Sequence, residues 1–366
     1  MRRSSTVLAT VLLLVLSRHA FGQDAQSAQY RGLTVLDIPY ANGPITVAHV
    51  PQVWMGLHGS EPRRFGMDTG STGIVVSADH YRPGPNDTDD GPGELTYNSS
   101  GRVLQGQRHT TDVVIHRDPW TPLATARVQV LRVTHITCLE RARNCRPEDA
   151  PRGVAFMGIG FARRSAQGTT DAAARNPFVN LVSLASGAPL ASVRAGYRLT
   201  RDGAQLGLSE DSTRGFAFVK LAPAGTTAAG LPQWQAATLT VAADGAAGDG
   251  TLLMDTGINY MFLSPPEGSG LGRGRAAPPG TRVEIWLPNF RQPRAHYAFT
   301  VGERLSPLEP ERVEVVRDRG VFVNTGRQFL QGFDYLYDAL GGHVGYRWTG
   351  RVSDAFGGVT PGPSAR

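Results

Sequence analysis

The sequence predicts a mostly β protein with two β-rich lobes and a site in the cleft between them, and three observations carry that reading. At 366 residues with 40% hydrophobic content, the chain exceeds the roughly 250 residues at which a single core stops growing, so two cores are expected. Short runs of β-branched and aromatic residues alternate with Gly, Pro, Asp and Asn, as strands joined by turns do. Finally, Arg64-Phe-Gly-Met-Asp68-Thr-Gly-Ser is echoed 187 residues later by Thr251-Leu-Leu-Met-Asp255-Thr-Gly-Ile, one copy per half-chain.

Taken in order, residues 1–22 read as an export signal: Arg2 and Arg3, an apolar run over 6–16, and the small-x-small site Ala20-Phe21-Gly22. Ser4, Ser5 and Thr6 after the arginine pair favour the general secretory route over twin-arginine export. The mature chain is expected to begin at Gln23 and to be periplasmic or extracellular. No later segment approaches the roughly 20 apolar residues of a membrane span, so no membrane insertion is expected. An N-terminal lobe is assigned to 23–200, a C-terminal lobe to 201–351 and a loose tail to 352–366. Ile45-Thr-Val-Ala, Val113-Val-Ile, Ala126-Arg-Val-Gln-Val, Thr238-Leu-Thr-Val and Val313-Glu-Val-Val are read as strands. Helical period is confined to 177–184 and 327–330, and 83–93 and 264–280 are read as surface loops. Trp120, Trp234 and Trp286 are read as anchors in the core or on a lobe surface.

Three units of the formal +6 charge belong to Arg2, Arg3 and Arg18 in the leader, leaving +3, which is no nucleic-acid signature. Lys220 is the sole lysine among 37 basic residues; this fits a GC-rich bacterial coding bias and says nothing of mechanism. Cys138 and Cys145 are the only cysteines, and in an exported chain they are expected to form one local disulfide, free thiols being the alternative. The nine histidines are scattered without an HxxxH grouping, so no metal and no cofactor are implied.

One Asp-Thr-Gly is an ordinary turn; two, each following an apolar strand, point to paired carboxylates. Hydrolysis of a peptide bond needs a base to activate water and an acid for the leaving amine. Two adjacent carboxylates sharing one proton supply both, because like charges at close range cannot both ionise. Gly70 and Gly257 permit a sharp turn that brings amides near the carboxylates. Thr69 and Thr256 can place hydroxyls across a two-fold axis.

At these residues the chain resembles the pepsin-like family of aspartic peptidases. Arg152-Gly-Val-Ala-Phe-Met-Gly158-Ile-Gly160 is similar to the family's segment threading behind the first active-site loop. Val321-Phe-Val-Asn-Thr-Gly326 is its counterpart, and Glu94-Leu-Thr-Tyr97 is similar to the flap hairpin. The resemblance implies a monomeric aspartic endopeptidase acting on polypeptides. Asp68 and Asp255 hold the lytic water, Thr69, Gly70, Ser71, Thr256 and Gly257 support the loops, and Tyr97 covers the substrate. Two positions depart from it. Ile258 stands where a hydroxyl would support Asp255, as Ser71 does for Asp68, so Asp255 is expected to hold the shared proton more readily. Val75 stands where a tryptophan would partner Tyr97. These departures leave a second reading, a pepsin-fold protein that binds a ligand in the cleft without cleaving it.

Overall fold

A computed structural model describes residues 27–140, 142, 144–162, 172–272, 276–317 and 319–359. The expected leader lies outside them. The chain is mostly β, in several sheets, and among the described residues no helix exceeds five residues. This is compatible with a β-rich two-lobed fold.

Nine strands between residues 52 and 184 form one sheet, and eight between 237 and 359 form another. A third, six-stranded antiparallel sheet draws on both halves, in the order Leu36–Pro39, Gly203–Leu206, Gly196–Leu199, Phe333–Asp338, His343–Trp348, Ala217–Lys220. The boundary expected between 200 and 201 falls in the turn joining two strands of this sheet.

The longest hairpin, Arg102–Asp118 with Thr121–Cys138, contains the Val113 and Ala126 runs expected to be strands. Its inward side chains, among them Val113, Ile115, Val128 and Val130, are buried, the alternation that a sheet with one buried face requires. The runs at Thr238 and Val313 also lie in strands.

Several local expectations are corrected. Residues 45–48 form no strand: Ile45 is buried and donates its N–H to Arg201 O (2.7 Å), so its apolar character reflects docking rather than sheet pairing. Leu181–Leu184 is a strand beside Thr121–Cys138, not helix, while Arg327–Gln331 is a single 3-10 turn. The loop read over 83–93 becomes strand at Thr88. The stretch from 352 carries a 3-10 turn, Asp354–Phe356, and an edge strand, Gly357–Val359, paired with 295–297. Trp120, at the tip of the long hairpin, is 84% exposed and anchors nothing. The cysteines form a disulfide, Cys138–Cys145.

A continuous apolar cluster runs from Ile38 to Tyr346. Within it the six-stranded sheet grips residues 159–161: Phe161 stacks on Tyr337 at 4.3 Å between ring centres, and Tyr197 Oη donates to Ile159 O at 2.8 Å, an oxygen that also accepts from Asn176 Nδ2, outside the sheet, at 2.8 Å. The same sheet holds the wholly buried Asp338, which accepts hydrogen bonds from Arg194 Nε and Nη2, Tyr30 Oη and Gly341 N, all at 2.9 Å.

Removing one partner of a buried pair leaves the other charge uncompensated. Arg194→Met is therefore expected to cost about 3 kcal/mol of stability, and Tyr30→Phe about 1 kcal/mol, both read from urea denaturation. Equal, negligible losses would show that Asp338 does not organise this sheet.

Candidate active site

Each Asp-Thr-Gly is framed by the same three-strand arrangement. In the first half Arg63–Asp68 enters the loop and Thr72–Ser77 leaves it, and Ala155–Ile159 lies between them, parallel to the first and antiparallel to the second. In the second half Phe322–Asn324 lies likewise between Ala246–Leu253 and Met261–Ser264. The threaded strand satisfies backbone groups that a buried turn would otherwise leave bare.

The two loops meet. Thr69 N–H donates to Thr256 Oγ1 (3.1 Å) and Thr256 N–H to Thr69 Oγ1 (2.9 Å). The hydroxyls donate in turn across the junction, Thr69 Oγ1 to Met254 O and Thr256 Oγ1 to Met67 O, both at 2.7 Å. Both threonines are buried, so each of these bonds is hard to replace with water. The glycines pack equally reciprocally: a methyl group on Gly70 would lie 2.3 Å from the Asp255 carboxyl, and one on Gly257 would lie 2.6 Å from Asp68 Oδ1. No side chain fits at either place.

This contact sets the two carboxyls face to face. Asp68 accepts from Gly70 N–H (2.6 Å) and Ser71 Oγ (2.6 Å); Asp255 accepts from Gly257 N–H (2.8 Å) and Asn324 Nδ2 (2.6 Å). Burial first, then the Asp68 charge and a hydrogen bond that protonated Asp255 donates to Asp68, push Asp255 up to about 7, against the opposing bonds from Asn324 and Gly257. The expectation that Ile258 leaves Asp255 without its outer donor is therefore corrected: Ile258 is buried beside the loop, and Asn324 makes that bond from the threaded strand. Asn324 occupies, two residues before Gly326, the place that Phe156 occupies before Gly158. Aligning the two internal repeats through these glycines would have singled it out.

Tyr97 ends the strand Thr88–Tyr97, in a hairpin whose last pair is Tyr97 with Arg102. Its ring lies 6.1 Å from Phe156 and joins a small cluster around Val75, Leu104 and Val154. Its buried hydroxyl makes no well-formed hydrogen bond, and burial, then the nearby Asp68 charge, raise its pKa against an opposing contribution from the Ser71 side chain. Val75, in that cluster, offers the hydroxyl neither a donor nor an acceptor. The disulfide braces the neighbouring strand: Cys138 pairs with Arg102, and Leu139 N–H donates to Gly101 O (2.8 Å) at the hairpin tip.

Asp68, Asp255, Gly70, Gly257, Ser71 and Tyr97 share the wall of one cavity of about 750 Å³, with Ile258, Phe156, Phe262 and Phe322 among its apolar lining. Thr69 and Thr256 are too deep to line it. Outside the cavity, Arg327 is 96% buried, and its Nε and Nη1 have no hydrogen-bond partner. Burial lowers its pKa while the charges of Asp255 and Asp68 draw it back, so by reciprocity Arg327 favours the ionised carboxyls. Sequence reasoning passed over this residue, whose only signal is a cation directly after Gly326. Among the described residues no group of three His, Cys, Asp or Glu is placed to hold a metal ion. Comparison with protein-family models and with curated proteins finds no match to this chain.

Because the folded pKa of Asp255 is raised, the native state binds that proton more tightly than the unfolded chain. The resulting stability is full below the ordinary carboxylate range and is lost as pH rises through about 7. Asp255→Asn, which carries no such proton, should therefore gain melting temperature relative to wild type progressively between pH 4 and 8. A difference constant across that window would mean that Asp255 titrates normally.

Proposed function

We propose that the protein is an aspartic endopeptidase of pepsin-like, bilobal architecture, and that it hydrolyses polypeptides with a water molecule held between Asp68 and Asp255. The observation that carries this reading is the facing pair of buried carboxyls, one of them pushed up to about 7 by its burial and then by its neighbour's charge. A decayed site would have no need of reciprocal glycines, crossed threonines and a donor for each carboxyl.

In the proposed reaction Asp255 holds the shared proton and Asp68 accepts one from the water as its oxygen attacks the scissile carbonyl carbon. The Asp255 proton passes to the carbonyl oxygen, giving a neutral gem-diol. Collapse of the gem-diol returns a proton to the dyad while the other carboxyl protonates the leaving nitrogen, and the C–N bond breaks. The substrate lies extended in the cavity, with Tyr97 on the flap above Ser71 and the apolar lining taking side chains.

The alternative, a cleft that binds without cleaving, rested on Ile258 and Val75. The Asn324 bond to Asp255 weakens the first ground, and Tyr97, packed on the apolar cluster around Val75, lines the cavity. The disulfide is compatible with export to the periplasm or beyond. No helix among the described residues is long and apolar enough to cross a membrane.

Assay of the mature protein on a mixed peptide library from pH 3 to 8, with and without pepstatin, tests the reading. Asp68→Ala and Asp255→Ala should each abolish cleavage, whereas cleavage surviving either substitution would refute the mechanism. Since one carboxyl must keep its proton, kcat/KM should fall above about pH 7. Asn324→Ala removes a bond that favours the ionised form, so this alkaline limb should move up by about one pH unit. Arg327→Met should move it the same way. A downward shift in either variant would contradict the assigned electrostatics.

A further inference from the structure

The cavity wall carries more positive charge than the proposed reaction uses. Besides the two aspartates its charged lining is Arg102, Arg175, Arg319 and the single acid Glu94, and Glu94 already accepts a hydrogen bond from Gln105 Nε2 (3.1 Å). Arg102 reaches Glu148 only at 3.9 Å, with both side chains more than 40% exposed, so solvent screens that pair.

Arg175 differs from the others. It ends the short helix Ala172–Arg175, lies half-buried against Gly73 two residues beyond Ser71, and has no hydrogen-bond, ion-pair or ring partner among the described residues. Behind it sits a second guanidinium, Arg108, which donates to neutral acceptors, Gln129 Oε1 (3.2 Å) and Glu94 O (2.7 Å). Burial, followed by the Arg175 charge, depresses the Arg108 pKa. Two like charges thus act on one another, Arg175 in the cavity wall and Arg108 outside its lining, and among the described residues neither forms an ion pair with a carboxylate. A partly desolvated guanidinium kept in this way is compensated most effectively by a carboxylate, whose two oxygens match its fork.

We infer that the site selects polypeptides bearing a glutamate or aspartate side chain near the scissile bond, and that Arg175 is the residue that takes this carboxylate. The inference rests on the peptidase reading of the cavity. Arg108 supports it as a second positive charge behind the binding group. Glu94, on the flap strand, is the one acid of the lining besides the two aspartates and already accepts from Gln105, so the three arginines set a net preference for acidic side chains.

The test uses the mature full-length protein and a peptide with an apolar scissile pair, in which each flanking position in turn carries Glu, Gln or Lys. Uncleavable analogues with a CH2–NH bond at the scissile position are measured alongside by calorimetry. At one position or more, Glu is expected to exceed Gln by about tenfold both in kcat/KM and in analogue affinity. Arg175→Gln should bring both ratios to about one, Arg175→Glu should invert them in favour of Lys, and Arg175→Lys should retain part of the preference and so serve as the check on folding.

Preferential binding of the Glu analogue without any cleavage would leave the acidic selectivity standing and refute hydrolysis. Cleavage of Glu and Gln peptides at equal kcat/KM would do the reverse. Equal affinity for the analogues, binding of neither, or a preference that survives Arg175→Gln would overturn the inference.

Discussion

The site depends on the crossed hydrogen bonds of Thr69 and Thr256. Each threonine uses its amide and its hydroxyl to bind the opposite loop, so four directional bonds fix two segments 187 residues apart. With the loops so fixed, each glycine lies against the other loop's carboxyl, and the two aspartates are left no freedom to separate. Burial and, after it, their mutual repulsion are the cost of that contact, and they appear as a raised proton affinity at Asp255. Placement of charge, rather than any single reactive side chain, gives the site its chemistry.

The rest of the structure holds this contact from outside. The six-stranded sheet, drawing on both ends of the sequence, reaches the end of the first threaded strand through Tyr197 and the Phe161 to Tyr337 stack, beside the bond from Asn176 to Ile159 O. On the other side Gly326 and Arg327 abut the second loop, where Arg327 N–H donates to Ile258 O (2.9 Å). Symmetry at the backbone does not extend to the side chains. Asp68 takes its outer hydrogen bond from its own loop, through Ser71, whereas Asp255 takes it from a neighbouring strand, through Asn324. The dyad is therefore asymmetric in where its support originates, more than in how many donors each carboxyl has.

How much of this was legible in the sequence follows from the range of the interactions. The internal repeat exposed the two aspartates, their glycines and their threonines because all are local to a motif. Ile258 was read as a loss for Asp255 because the replacement donor is 69 residues away and is identified only by the parallel register of Leu253 with Asn324. Arg327 and Arg175 were passed over for a similar reason: an arginine in a sequence carries no sign of being buried or unpaired. Ile45 misled in the opposite direction, since an apolar β-branched residue that docks through a loop looks like one in a strand. Tyr97 was singled out only by the resemblance of its stretch to a flap hairpin, and Val75 showed that the expected indole partner is missing.

The central claim is that Asp68 and Asp255 behave as one coupled acid. Carboxyl 13C NMR of aspartate-labelled protein from pH 3 to 9, with each signal assigned through the Asp68→Asn and Asp255→Asn variants, tests it most directly. The structure predicts that Asp255 retains its proton to about pH 7 and that this midpoint falls when Asp68 loses its charge. Both carboxyls ionising independently in the ordinary range near pH 4, or the retained proton residing on Asp68, would contradict it.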